Sequence, residues 1–254
     1  MLFRSHGAVV VEDAAQGIGG SWRGRALGAH GALSVLSFGR GKGNTSGGGG
    51  ALLVHDERYA GQLPEVPAGG AGLVAVAKTG VQYLLARPGL YAIPASLPFL
   101  GLGETHYHPP HPAAGMGASG FGVLSRSVLE VGWSTEARRA AAAAYREALG
   151  PAARPAAPEP GRGEGGYLRF PLVLAKPDSL PPAAAELGIL PGYPTALADL
   201  PGFGTKVAST GEVPGARLLA RQLVTLPTQR QVRPDDRQRI IACVRPLSGD
   251  PPSR

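Results

Sequence analysis

The feature that most constrains this chain is residues 9–55, where short apolar runs alternate with one polar connection and one run of glycines. The stretch reads VVVEDAAQGIGG and, after the connection, ALSVLSFGRGKGNTSGGGGALLVH. Short runs rich in Val and Leu, bounded by turn residues, read as buried strands. The order is therefore strand, loop, strand, glycine-rich turn, strand. Asp13 closes the first strand, Ser37 closes the second, and Lys42 sits in the glycine-rich turn. Polar residues at strand ends of an α/β sheet face the crevice where ligands bind. Taken singly, such an aspartate is usually a turn residue and such a lysine is usually solvated. Their common spacing is what points to chemistry.

The pattern E-D-A-A-Q, then S-F-x-x-x-K, a glycine-rich turn and G-A-L-L-V resembles the DegT/DnrJ/EryC1/StrS family. These are fold-type I, pyridoxal-phosphate-dependent sugar aminotransferases. The resemblance implies an α/β fold: a partial large domain with a mostly parallel sheet over residues 1–133, and a long helix, linker and small α+β domain over 134–254. It implies that Lys42 forms the Schiff base with the cofactor aldehyde and later moves protons. Asp13 would hold the pyridine nitrogen protonated, Gln16 would contact the ring or its hydroxyl, and Ser37 would bond the phosphate. The chemistry suits these residue types. A carboxylate beside the ring nitrogen keeps the electron sink protonated. A lysine attacks an aldehyde only when partly neutral, which burial and cationic neighbours favour. Glycines allow close backbone approach, and turn N–H groups bind phosphate.

The implied activity is transfer of an amino group, with glutamate as donor, to a nucleotide-linked keto-sugar, in a cytoplasmic homodimer with shared active sites. The segment that precedes this pattern in the family is absent here, so the chain reads as N-terminally truncated. The alternative is accordingly a non-catalytic remnant, or a binding subunit that needs a partner to complete its fold. A sheet without its early strands is expected to expose an edge and an apolar face.

Two segments depart from the family pattern. Gly48 stands where an acid usually precedes the last glycine pair, and residues 115–120, GMGASG, lack the Asn and Arg of G-x-N-x-R. The lysine turn is not a nucleotide-binding P-loop, because Gly43 replaces the required Ser or Thr. Arg40 is either a phosphate partner or a solvated cation.

Composition narrows the remaining classes. A hydrophobic content of 43% supports a buried core, and 39 glycines with 25 prolines imply long loops. The net charge of +7 suits anionic ligands, but the arginines are scattered without interleaved aromatics, which argues against nucleic acid. The one cysteine, Cys243, excludes an internal disulfide and reads as a buried structural thiol. No stretch is long enough for a membrane-spanning helix.

Further along, residues 21–31 are a polar, glycine-punctuated connection that resembles the family's short hairpin, and Trp22 is expected to pack rather than to stack on a ligand. A helix-like turn follows Asp56, and residues 73–86 carry apolar spacing for a core helix. His106, His108 and His111 have metal-like spacing, but no acid or thiol lies near, and they read as an exposed His-Pro loop. Residues 135–149 form an alanine-rich helix that Ser134 or Thr135 would cap. A linker covers 151–166. A strand is expected over 167–175, a helix over 181–187, and a final amphipathic helix over 234–244, with Asp235 and Asp236 in its first turn.

Overall fold

The three apolar runs of the opening stretch do pair into one sheet. In the computed structural model, β1 (Val11–Asp13), β4 (Leu33–Ser37) and β5 (Gly50–Val54) lie in the order β1-β4-β5. The structure describes residues 6–39, 41–70, 72, 77, 80–81, 112–151, 163–200 and 211–248. The helix expected over 73–86, the histidines at 106, 108 and 111, and Arg40 lie outside them, apart from isolated positions of that helix. The chain divides into two compact units: Met1–Leu84, Pro112–Arg139 and Pro158–Leu168 in the first, and Leu85–His111, Ala140–Ala157 and Arg169–Arg254 in the second.

In the first unit, β1 pairs parallel with β4, and β4 pairs antiparallel with β5. Partnered residues share a face, so Val11, Asp13, Leu33, Val35, Ser37 and Leu52 lie on one side of the sheet. Several of these stay in solvent: Val11 is 58% exposed, Val35 40% and Leu52 47%. The expectation that the first strand is buried is corrected here, because the strand begins at Val11 and that side chain is not covered. The connection folds as the expected hairpin, β2 (Ser21–Trp22) with β3 (Arg25–Ala26). It gains a third strand, β6 (Gly163–Glu164), from within the presumed linker. Trp22 packs against Gly163, where a Cβ would come within 2.8 Å of the indole.

Helix α1 (Ala118–Val128) was not legible as a helix, because its sequence ASGFGVLSRSV carries two glycines and three serines. Helix α2 runs over Val131–Leu149, four residues earlier than expected. Ser134 and Thr135 do not cap it. They lie inside the first turns and accept hydrogen bonds from Arg138 at 2.7 and 2.9 Å instead.

The second unit holds the apolar core. Strand β7 (Arg169–Val173) pairs antiparallel with β9 (Leu223–Pro227), which pairs in turn with β8 (Leu190–Pro191). Alternation along β7 and β9 buries Phe170, Leu172, Val224 and Leu226. Tyr145 and Leu149 from α2 and Ile240 and Val244 from α4 (Pro234–Val244) are buried in the same unit. The Tyr145 and Phe170 rings meet at 5.6 Å. The α4 helix keeps its expected bounds, with Asp236 accepting the Arg233 N–H at its start. The helix expected at 181–187 is instead a single 3-10 turn, Pro182–Ala184, because prolines open the segment and Gly188 closes it. Helix α3 (Pro214–Gln222) leads directly into β9.

Candidate active site

Because β1 and β4 run in the same direction, Asp13 and Ser37 end their strands at the same edge of the sheet. Asp13 pairs with Val35, and Ser37 follows two residues on, so both side chains lie on one face. The main chain ties the two ends together, with the Ala14 N–H donating to Val35 at 3.0 Å. Asp13 is exposed, and one of its carboxylate oxygens accepts the Ala15 N–H at 3.0 Å. That local turn carries the chain to Gln16, also exposed at this edge.

The turn between β4 and β5, residues 38–49, brings Lys42 to the same edge. Internal bonds hold it. The Phe38 N–H donates to Gly49 at 2.9 Å, the Ser46 N–H to Phe38 at 3.0 Å, and the Thr45 hydroxyl to Phe38 at 3.1 Å. The Ser46 hydroxyl donates to the Gly48 carbonyl at 2.7 Å, and Ser46 and Asn44 are buried. Lys42 is half-buried, its N–H turned toward the Gly39 carbonyl at 3.3 Å. Gly41, Gly47 and Gly49 have φ of 75°, 81° and 82°, a conformation that glycine adopts without strain. The four residues named from the sequence, Asp13, Gln16, Ser37 and Lys42, thus belong to one edge of one sheet.

A cavity of about 310 Å³ adjoins the turn, lined by Ser46, Gly48, Gly49, Gly50, Met116 and Gly117 among others. The two segments that depart from the family pattern therefore face each other across it. A larger cavity of about 860 Å³ lies at the opposite end of these strands, around Val10, His30, His55 and Asp56. It contains none of the four residues, and its size does not outweigh their chemistry.

Sequence reasoning passed over Glu12. Its carboxylate accepts the N–H groups of Gly28 at 2.6 Å, His30 at 2.7 Å and Gly31 at 3.3 Å, and the Ser34 hydroxyl at 3.3 Å. Burial alone would push this carboxyl up, but the three backbone donors and Ser34 outweigh it and hold the group below its ordinary value. An acid inside an apolar strand was the available signal. Glu12 fastens the 28–31 loop to the strand that ends in Asp13.

Comparisons with known proteins bear on the family and the fold. The model of the DegT/DnrJ/EryC1/StrS aminotransferase family matches residues 1–79, which contain all four residues. Residues 1–79 are similar to that family. Its members are pyridoxal-phosphate-dependent aminotransferases. The L-glutamine:scyllo-inosose aminotransferase of Streptomyces griseus is 46% identical over 55 residues, which are 22% of this chain and 13% of that protein. A DegT DnrJ EryC1 StrS aminotransferase from Brucella abortus superposes with a TM-score of 0.68 at 22% identity, covering 98% of this chain and 60% of that one. DesV of S. venezuelae gives the same values. The fold is therefore the fold-type I arrangement of these enzymes, and the chain spans about 60% of the length of the solved relatives. Among the described residues no helix is long and apolar enough to cross a membrane.

The donor set suits pyridoxal phosphate. A carboxylate, an amide, a hydroxyl and an amine belong to one edge, and the turn packs against its neighbours at Gly43 and Gly49 too closely for a Cβ. A Cβ at Gly43 would come within 2.6 Å of the Ile18 carbonyl, and one at Gly49 within 2.7 Å of the Met116 methyl.

Proposed function

We propose that this chain provides the cofactor-binding part of a pyridoxal-phosphate-dependent aminotransferase that moves an amino group to the ketone of a sugar, nucleotide-linked, with glutamate as donor. The observation that carries this reading is the common edge of Asp13, Gln16, Ser37 and Lys42. When bound, the group supplies an electron sink and carries nitrogen between donor and acceptor. Asp13 holds the proton at the ring nitrogen. Gln16 contacts the ring or its hydroxyl, and Ser37 with the N–H groups of its turn binds the phosphate. Lys42 would hold the group through its Nζ and would move protons at the reacting carbon. In this reading residues 1–133 form the cofactor domain and 134–254 the small domain, and two copies share their sites.

The name of the Streptomyces griseus relative carries an L-glutamine donor and a cyclitol ketone as acceptor, so both donors and both acceptor classes belong in the test. The cofactor-loaded chain is mixed with L-glutamate or L-glutamine, and loss of its visible absorbance is followed. A nucleotide-linked keto-sugar or a keto-cyclitol is then added. Loss with one donor and recovery with one acceptor is the expected result; no response to either donor refutes the reading. A second reading, a binding subunit completed by a partner chain, is favoured by the open face at Val11, Val35 and Leu52. It predicts a folded chain that leaves the cofactor free until a partner is added.

A further inference from the structure

The 17–20 loop, which follows Asp13 and Gln16, meets the lysine-bearing turn at one point. Gly43 packs so closely on Ile18 that a Cβ there would come within 2.6 Å of the Ile18 carbonyl and 2.8 Å of its Cβ. Lys42 is the preceding residue, so where Ile18 lies limits where Lys42 can stand. The loop is short and turns twice, with Gly17 donating to Ala14 and Gly20 to Gly17, each at 2.8 Å. These bonds shape it but do not anchor it.

The anchor is a pair of arginines in the middle of α2. The Arg139 guanidinium donates to the Gly19 carbonyl at 2.9 Å and to the Gly165 carbonyl at 3.2 Å, and pairs with Glu164 at 2.8 Å. Arg138 is 6% exposed and donates to the Gly166 carbonyl at 2.7 Å, while Ser134 and Thr135 take its other nitrogens. Gly166 in turn sits against the loop, where a Cβ would come within 2.8 Å of the Ile18 carbonyl. Gly19, at φ 87°, lies against Thr135 with no room for a side chain. Gly43 and the arginine-fastened 165–166 backbone thus both pack against the Ile18 carbonyl. A guanidinium suits this task, because its rigid fork bonds two carbonyls at once and keeps its charge even when desolvated.

We propose that Arg138 and Arg139 are positioning residues for Lys42, acting through the 17–20 loop and the Ile18–Gly43 contact. Neither touches the lysine. Their effect is to restrict the turn so that the amine samples few places. The inference deepens the functional reading above and rests on it for the role of Lys42, though the mechanical link does not need the cofactor.

The test compares the chain with Arg139→Ala, Arg139→Lys, Gly43→Ala and, as a control, Glu136→Ala, an exposed position on the same helix. Amide hydrogen exchange is first followed without cofactor. Arg139→Ala and Gly43→Ala are expected to speed exchange in the 38–49 peptide roughly tenfold, with little change in the 223–227 peptide. Glu136→Ala should match the parent chain. Pyridoxal phosphate is then added, and the pH midpoint of the visible band is measured. The midpoint should shift in Arg139→Ala and Gly43→Ala and return part of the way in Arg139→Lys. Trapping of the lysine by borohydride should slow roughly tenfold, as expected for a misplaced reacting group. Unchanged exchange in the 38–49 peptide of Arg139→Ala overturns the proposal. So does equal acceleration in every peptide of both arginine variants, since the pair would then hold the unit as a whole. If the parent chain gives no visible band, the functional reading fails, and the exchange data still decide the link.

Discussion

The two units of this chain are stabilised in different ways. The second buries large apolar side chains completely: Tyr145, Phe170, Leu172, Leu174, Ile189, Leu226, Ile240 and Val244 each lose essentially all exposure. The first buries polar and small groups, among them Ser34, Asn44, Ser46, Thr135 and Arg138, and leaves Val11, Val35 and Leu52 in solvent. Apolar burial is non-directional and tolerates volume-conserving exchange. Hydrogen bonds are directional, and each buried group left without a partner costs its desolvation. The unit that carries the candidate site therefore has its loops placed by named donors and acceptors. The other supplies most of the apolar stabilisation.

Truncating the apolar core should have the largest effect on stability. Phe170→Ala removes a fully buried ring and should cost about 3–5 kcal/mol, measured by denaturant unfolding. If the two units are stabilised separately, the 38–49 peptide will keep its exchange rates in this variant. Smaller is the loss in Tyr145→Phe. The Tyr145 hydroxyl donates to the Pro227 carbonyl at 2.8 Å, and burial pushes its ionisation well above the ordinary range. Removing it leaves that carbonyl unpaired, at a cost of about 1–3 kcal/mol.

Glu12 gives a comparable effect in the first unit and adds a pH signature. Its carboxyl titrates below the ordinary value when folded, despite the opposing effect of burial, because Gly28, His30, Gly31 and Ser34 all donate to it. A depressed carboxylate contributes stability that is complete above its unfolded value, about 4.3, and is lost as pH falls through the folded value. Glu12→Gln should remove that contribution, so parent and variant should converge in stability as pH falls below the depressed folded value. A constant difference at all pH values would mean that the carboxylate charge is not what matters. Least affected should be Arg217→Ala. Its ion pair with Asp199, at 2.8 Å, lies at the surface, and the unfolding midpoint should match the parent chain in 0.15 M salt.

Much of the site was legible because strand ends and glycine turns leave strong local signals. Asp13, Ser37 and Lys42 were each marked by the end of an apolar run or by the glycines around it, and the parallel pairing of β1 and β4 brings their ends together. What was hidden depends on contacts distant in sequence. Nothing near Arg139 indicates that it bonds Gly19, 120 residues away. Helix α1 was obscured by its glycines and serines, and β6 by the prolines and charges around it, since both are decided by their neighbours rather than by propensity. In the second unit, alternation made β7 readable, while α4 was marked by Pro234 and its two aspartates.

The most direct test of the central claim is to add pyridoxal phosphate to the purified chain, reduce with borohydride, and map the modified peptide by mass spectrometry, alongside Lys42→Ala. A visible band in the parent chain, a reduced adduct on Lys42, and neither in the variant is the result expected here. An adduct on another lysine, or none in a chain shown to be folded, would contradict the assignment of this edge as the cofactor site.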